Sequence, residues 1–265
     1  MGRPAVAEGL NGSVAAVKSA KRALEVMELL DALQRSATVA EVAARLKYPQ
    51  SSTSSLLAGL KRLGYLEYCP VDRTYALSLR VALIGMKLRT ADWSMPQIHA
   101  LVSSLHNTTG LTAVVCRKHD VYMQYVYAVG GIGLDLIGFQ PGRLLPLCDT
   151  AGGIALISSV AEPEIGKMVR RINAESSFEA PLLLPKVMEE VRQFREQGHI
   201  CISGRVFPKI GSVSVRLPFS DMSGHALALC VAGRAENIVD NSRQLSLLMT
   251  DQIKMVEGTR KEMAA

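Results

Sequence analysis

The chain has 265 residues, long for one domain and enough for two, and its 48% of hydrophobic residues can build real cores although only 5% are aromatic. Its formal net charge of +6 is unevenly spread: residues 1–90 hold 13 Lys and Arg against 7 Asp and Glu, and the rest is balanced at 17 against 17. Five scattered cysteines without a Cys-x-x-Cys pair argue against a disulfide framework or zinc ribbon, and no apolar run or signal-peptide core suggests a membrane partner, so a soluble cytoplasmic protein is expected.

Residues 1–16 are mostly Gly, Ala, Val and Asn and are expected to form a disordered arm. Ser19 can cap a helix running to Gln34, with Ala23, Leu24, Met27, Leu30 and Leu33 on its core face. Thr38 to Leu63 then reads as two short amphipathic helices with a tight break. Thr38 is a good N-cap with Glu41 three residues on, and Val39, Val42, Ala43 and Leu46 share one face. Tyr48-Pro49 stops that helix, because the residue before proline is pushed out of helical geometry. Ser51 or Ser52 can cap the second helix, which turns Leu56, Leu57, Leu60 and Leu63 inward. Its early outer face carries Gln50, Ser51, Ser52, Thr53, Ser54 and Ser55, short polar groups suited to base edges and phosphates in a major groove. The same serines are also ordinary capping residues. A strand from Gly64 to Tyr68, a turn at Pro70 to Arg73 and a return strand from Thr74 to Leu77 follow, so three helices and a hairpin spell a winged helix-turn-helix. Arg73 at the hairpin tip can reach a phosphate or simply stay solvated.

Four blocks give a specific resemblance: Val17 to Leu24, Glu41-Val42-Ala43, Leu56 to Leu60 with Gly64-Tyr65-Leu66, and Tyr75-Ala76-Leu77. Their order and spacing resemble the N-terminal domain of the IclR family of bacterial transcription regulators. The resemblance implies an α+β protein with a winged helix-turn-helix at 17–78, a linker helix at 79–94 and a GAF-like α/β effector-binding domain at 95–265. It implies double-stranded DNA with an imperfect palindrome as partner, a homodimer that pairs into a dimer of dimers, and a small carboxylic acid as effector. Lys18, Arg22, Thr38, Gln50, Ser51, Ser52, Thr53, Ser55 and Arg73 are the expected DNA contacts. The family usually carries basic residues where Gln50 and Ser55 stand, so this reading helix is unusually neutral.

Leu79 to about Arg89 continues as a helix with Leu79, Leu83, Met86 and Leu88 apolar, which in the resembling family contributes to dimerisation. From Met95 the pattern mixes helix and strand: a helix from Pro96 to Thr109, strands at Leu111–Cys116 and Val121–Tyr127, and a glycine-rich loop over Val129–Arg143. Leu145 to Leu156 resembles the family segment at the mouth of the effector pocket. Thr150 to Gly153 would open a helix with small residues and outward-pointing N–H groups able to receive an anion, or the glycines could serve only close packing. Helices at Glu162–Ile172 and Leu184–Gln197, strands at His199–Ile202, Ser212–Leu217 and Ala226–Val231, and a final helix from Ile238 to about Glu257 complete the chain. Carried over by position, the pocket would involve Leu134, Thr150, Ala151, Asp221 and Cys230, with Arg205 favouring an anion if it faces inward. Asp221 could instead be a turn residue holding its own backbone, and Cys230 a plain buried wall residue.

No Gly-x-Ser-x-Gly elbow, His-Glu-x-x-His or phosphate-binding loop is present, and the five histidines stand apart, so neither enzyme activity, cofactor nor metal is expected. The expected function is a DNA-binding repressor of a catabolic operon answering to a small organic or aromatic acid. A metabolite-binding protein whose degenerate helix-turn-helix serves only assembly is the alternative.

Overall fold

A computed structural model describes residues 18–86, 95–130, 141–175, 181–221 and 223–263, with side chains at 85, 86, 95 and 258–263 excepted. They form two compact units that divide near residue 88.

In the N-terminal unit, α1 (Lys18–Leu33), α2 (Val39–Leu46) and α3 (Gln50–Arg62) pack on a small sheet of β1 (Ala37–Thr38), β2 (Leu66–Cys69) and β3 (Thr74–Leu77) in the order β1-β3-β2. The core is Val26, Leu30, Ala37, Val42, Leu57, Leu60, Leu66 and Tyr75. On α1 the buried stripe runs through Ala23, Val26, Leu30 and Leu33, spaced three, four and three residues, which is one helical face. Leu24 lies off that stripe and is 57% exposed, and Leu63, in the cap after α3, is 59% exposed; both were expected in the core.

Thr38 caps α2 as expected, its hydroxyl accepting from Glu41 N–H at 3.2 Å. That helix ends on Lys47 in left-handed geometry, φ 56°, and Tyr48 N–H bonds back to the Ala43 carbonyl at 2.9 Å. The break between the helices is thus a left-handed cap followed by Tyr48-Pro49. Pro49, not Ser51 or Ser52, is the N-cap of α3, and it offers no side-chain acceptor. The register Tyr68↔Tyr75 joins the wing strands, with the two rings 4.8 Å apart. β1 went unread in the sequence, since two residues carry no period.

Helix α4 (Leu79–Met86) follows the wing. Arg80 ties it back by donating to the Leu63 carbonyl at 2.9 Å and lying over the Tyr65 ring. Leu79, Leu83 and Ile84 stay 70%, 51% and 56% exposed.

The C-terminal unit begins with α5 (Met95–Thr109) and is built on a six-stranded antiparallel sheet. Its strands are β4 (Thr112–His119), β5 (Tyr122–Val129), β6 (Leu144–Pro146), β7 (His199–Ser203), β8 (Ile210–Ser220) and β9 (Ala226–Arg234), ordered β6-β5-β4-β9-β8-β7. One face packs Ala113, Val115, Leu229 and Val231 against α5, α9 (Ala235–Asp240) and α10 (Ser242–Met263). The other packs Val114, Cys116, Met123, Tyr125, Ala228 and Cys230 beneath α6 (Ala151–Ile157), α7 (Glu162–Glu175) and α8 (Leu184–Gln197). This is the GAF-like α/β arrangement expected, because both faces of alternating strands find an apolar layer. The final helix is two helices: Asn241 N–H closes α9 on the Asn237 carbonyl, and the Asn241 carbonyl then receives Leu245 N–H in α10.

Candidate functional site

The outward surface of α3 is Gln50, Ser51, Ser54, Ser55 and Ala58, with Lys61 and Arg62 at its far end. These recur at three- and four-residue intervals and so form one stripe. The hydroxyls of the first turns bend back along the helix. Ser52 donates to the Pro49 carbonyl at 3.0 Å and Ser55 to the Ser51 carbonyl at 3.2 Å. With their protons used inside the helix, both oxygens keep only acceptor lone pairs for any further partner. Thr53 is a correction: it is 1% exposed and also donates to the Pro49 carbonyl, so it belongs to the core side. The period explains it, since Thr53, Leu57 and Leu60 repeat at four and three residues.

Other expected DNA residues divide into held and free groups. The Arg22 guanidinium lies over the Tyr48 ring, 4.5 Å from its centroid, and the Tyr48 hydroxyl donates to Glu25. The hydrogen bond to Glu25 pushes the Tyr48 phenol above its ordinary pKa, helped by burial. Thr38 spends its acceptor on the cap. Lys18 is exposed at the start of α1, and Arg73 is exposed at the wing tip in left-handed geometry, φ 52°. Gln50, Ser51 and Ser55 are exposed. The exposed cations outside the sequence reading include Lys47, in the cap between α2 and α3, and Lys61 and Arg62 at the end of α3. Arg35 and Arg45, by contrast, are both bound to Glu41, at 2.6 Å and 3.2 Å. The Arg35 hydrogen bond holds the Glu41 carboxyl below its ordinary value.

The C-terminal unit holds a cavity of about 50 Å³ between the sheet and α6, walled by Val114, Met123, Tyr125, Thr150, Phe207 and Cys230 among others. A second space of about 280 Å³ opens beside α8, lined by Cys148, Asp149, Leu182, Lys186, Glu190 and Arg205 among others. Arg205 borders both. It is paired with Glu190 through both guanidinium nitrogens, one bond measuring 3.0 Å, and Glu190 raises the Arg205 pKa.

The candidate effector residues fare differently. Thr150 and Cys230 line the cavity. Ala151 is fully buried at the start of α6 and lines neither space. Leu134 lies outside the described residues. Asp221 lines neither space and sits in a turn. Its carboxylate accepts from the N–H groups of Ser223 and His225, both at 2.9 Å, and pairs with the His225 ring and Arg117. Burial works to raise the Asp221 pKa, but the His225 and Ser223 donors bring it below the ordinary 3.8.

The outward N–H groups expected at the start of α6 are also corrected. Thr150 accepts Gly153 N–H at 3.0 Å, its carbonyl takes Ile154 N–H, and all seven residues of α6 are buried. Gly153 is required by packing, because a Cβ there would run into the Leu147 carbonyl oxygen. Close packing, not anion reception, is what these glycines serve.

Among the described residues no helix is long and apolar enough to cross a membrane. Residues 19–70 match the IclR helix-turn-helix domain. The chain is 22% identical over 200 residues to the transcriptional repressor IclR of Escherichia coli K12, covering 74% of this chain and 72% of that one. It is 25% identical over 251 residues to the HTH-type transcriptional regulator KdgR of Dickeya chrysanthemi, covering 84% and 80%. Its fold is that of the Thermotoga maritima IclR crystal structure, with a TM-score of 0.61, 16% identity, and coverage of 91% of this chain and 98% of that one.

Proposed function

We infer that this chain, a member of the IclR family of transcriptional regulators, binds operator DNA through α3 and its wing and represses a catabolic operon in the cytoplasm. The observation that carries the reading is the uncharged outward stripe of Gln50, Ser51, Ser54 and Ser55 on a helix whose other face is core. Gln50 presents both a donor and an acceptor, the pair that reads adenine, while the serine oxygens accept. Because Pro49 provides no cap, the first-turn N–H groups of α3 remain open to a backbone phosphate. Lys18, Lys47, Arg62 and Arg73 supply the sequence-independent attraction.

A homodimer, and a pair of such dimers, places two reading helices in successive major grooves of an imperfect palindrome. The exposed Leu79, Leu83 and Ile84 of α4 support self-association, as three large apolar side chains on one short helix ask for cover.

The effector is a small organic acid whose carboxylate takes Arg205 from Glu190. The space beside α8, about 280 Å³, is close to the lower end of ligand-pocket sizes, roughly 300 Å³. Exchanging one carboxylate for another at Arg205 releases Glu190 on α8, and a ligand that binds this state better shifts the population.

The neutral stripe also favours a second reading, in which the helix-turn-helix serves only assembly. Mobility-shift titration with DNA flanking the coding region, at two salt concentrations and with a panel of carboxylic acids, decides between them. A tight, salt-sensitive shift altered by one acid supports the repressor; no specific shift with any acid supports the assembly reading.

A further inference from the structure

The space beside α8 is lined by four charged residues that differ in depth. Asp149 is 5% exposed and Glu190 9%, Arg205 is partly buried, and Lys186, one turn before Glu190 on α8, is exposed. Both carboxylates act on the same guanidinium. Glu190 is bonded to both terminal nitrogens of Arg205 and raises its pKa, and the charge of Asp149 raises it further. The same two carboxylates act on the Cys148 thiol, which burial first, and then the Asp149 and Glu190 charges, push up to about 12. Two buried carboxylates thus already bear on one guanidinium.

That ratio decides what kind of acid the space can take. A bare carboxylate that displaces Glu190 from Arg205 adds negative charge here and leaves the Glu190 carboxylate buried without its partner. A buried charge that loses its partner is strongly unfavourable. A ligand with an ammonium group next to its carboxylate brings no net charge. Its carboxylate takes Arg205, and its ammonium, which has three donors, restores a cation to Glu190 and Asp149. Lys186 does not remove the difference, because an exposed ammonium stays solvated and its attraction is screened. The walls formed by Pro181, Leu182 and Val187 are apolar and suit an apolar side chain.

We propose that the space beside α8 binds a zwitterion, an α-amino acid with a short apolar side chain. The proposal rests on the effector reading above and narrows it from small organic acids at large. Exchange at Arg205 then conserves the pairing of charges, with the ligand ammonium standing where the guanidinium was withdrawn from Glu190.

The test is isothermal titration of the full-length protein, without DNA, with L-alanine, L-valine and L-leucine. Each is compared with the acid that lacks only the amino group: propionate, isovalerate and isocaproate. At least one amino acid should bind more tightly than its matched acid by about tenfold or more, since a site built around a donor rejects the analogue that lacks it. Glu190→Gln and Asp149→Asn should each lower that preference by about tenfold, chiefly because the matched acid no longer strands a buried charge. Lys186→Met should leave the preference unchanged. The wild-type comparison needs no variant, so it stands even if a buried substitution fails to fold. A matched acid that binds as tightly as its amino acid, a preference unchanged by Glu190→Gln, or no binding by any of the six overturns the proposal. Equal binding would leave an acid effector standing, whereas binding by none would remove the effector reading of this space as well. Neither result bears on DNA binding, which the mobility shift measures separately.

Discussion

The Arg22 guanidinium sits over the Tyr48 ring, 4.5 Å from its centroid, and so joins the first helix to the residue that precedes the Pro49 cap of α3. The Tyr48 hydroxyl is held in turn by Glu25 of α1. The break that leads into α3 is therefore tied to α1 by a stacked ring and a hydrogen bond.

Arg22→Ala removes that stacking. The N-terminal unit should lose about 1 kcal/mol, within the 0.5–2 kcal/mol range of such contacts, read by urea denaturation. DNA affinity should fall with it. Tyr48→Leu should reproduce most of the affinity loss while leaving the salt slope unchanged; a reduced slope for Tyr48→Leu would contradict a purely orienting role.

Arg73→Ala acts on charge alone, because the side chain is exposed at the wing tip. Binding to all DNA sequences should weaken alike, and the salt slope should drop by about 1. Gln50→Ala should instead relax the preference at one base pair, at roughly 1–3 kcal/mol for the preferred base. Titration of an operator series with single base changes separates the two patterns.

Asp221→Asn gives a pH prediction. The folded-state carboxyl lies below its ordinary 3.8, so its contribution is present above that value and lost as pH falls through the folded pKa. Acid unfolding of the variant should therefore depend less on pH below about 4. Effector response should not change, because Asp221 lines neither space in the C-terminal unit. An altered response in ligand titrations would return it to the site.

Arg205→Ala should abolish the acid's effect on the DNA shift, whereas Glu190→Gln, by freeing the guanidinium, should tighten acid binding on the order of tenfold, about 1.4 kcal/mol. Isothermal titration with the acid found in the mobility-shift panel measures both. Weaker binding in Glu190→Gln would exclude the exchange at Arg205.

Thr150→Ala removes the N-cap of α6 and should cost about 1 kcal/mol. Thermal unfolding measures this.

The N-terminal unit was largely legible because its contacts are short in sequence. Thr38 capping α2, the break at Tyr48-Pro49 and the hairpin with Arg73 at its tip depend on neighbours within a few residues, and local period and turn chemistry report them. The errors there were of rotation: Leu24 and Thr53 lie one step from the stripe to which they were assigned, which is 100° on a helix.

In the C-terminal unit the order of helices and strands could be read, but not which strands adjoin. The sheet order β5-β4-β9 brings Cys116 beside Cys230, 114 positions later, and the fold brings Arg205 to Glu190. Thr150 to Gly153 open a helix as expected, but whether their N–H groups face a ligand or the helix itself depends on the burial of all of α6. Sequence alone determined what local hydrogen bonds and helical period can dictate: the caps, the stripe on α3 and the excess charge beside it. Tertiary structure alone decided which sulfurs, guanidinium and carboxylates meet, because such pairs form only where non-consecutive strands and helices are packed together.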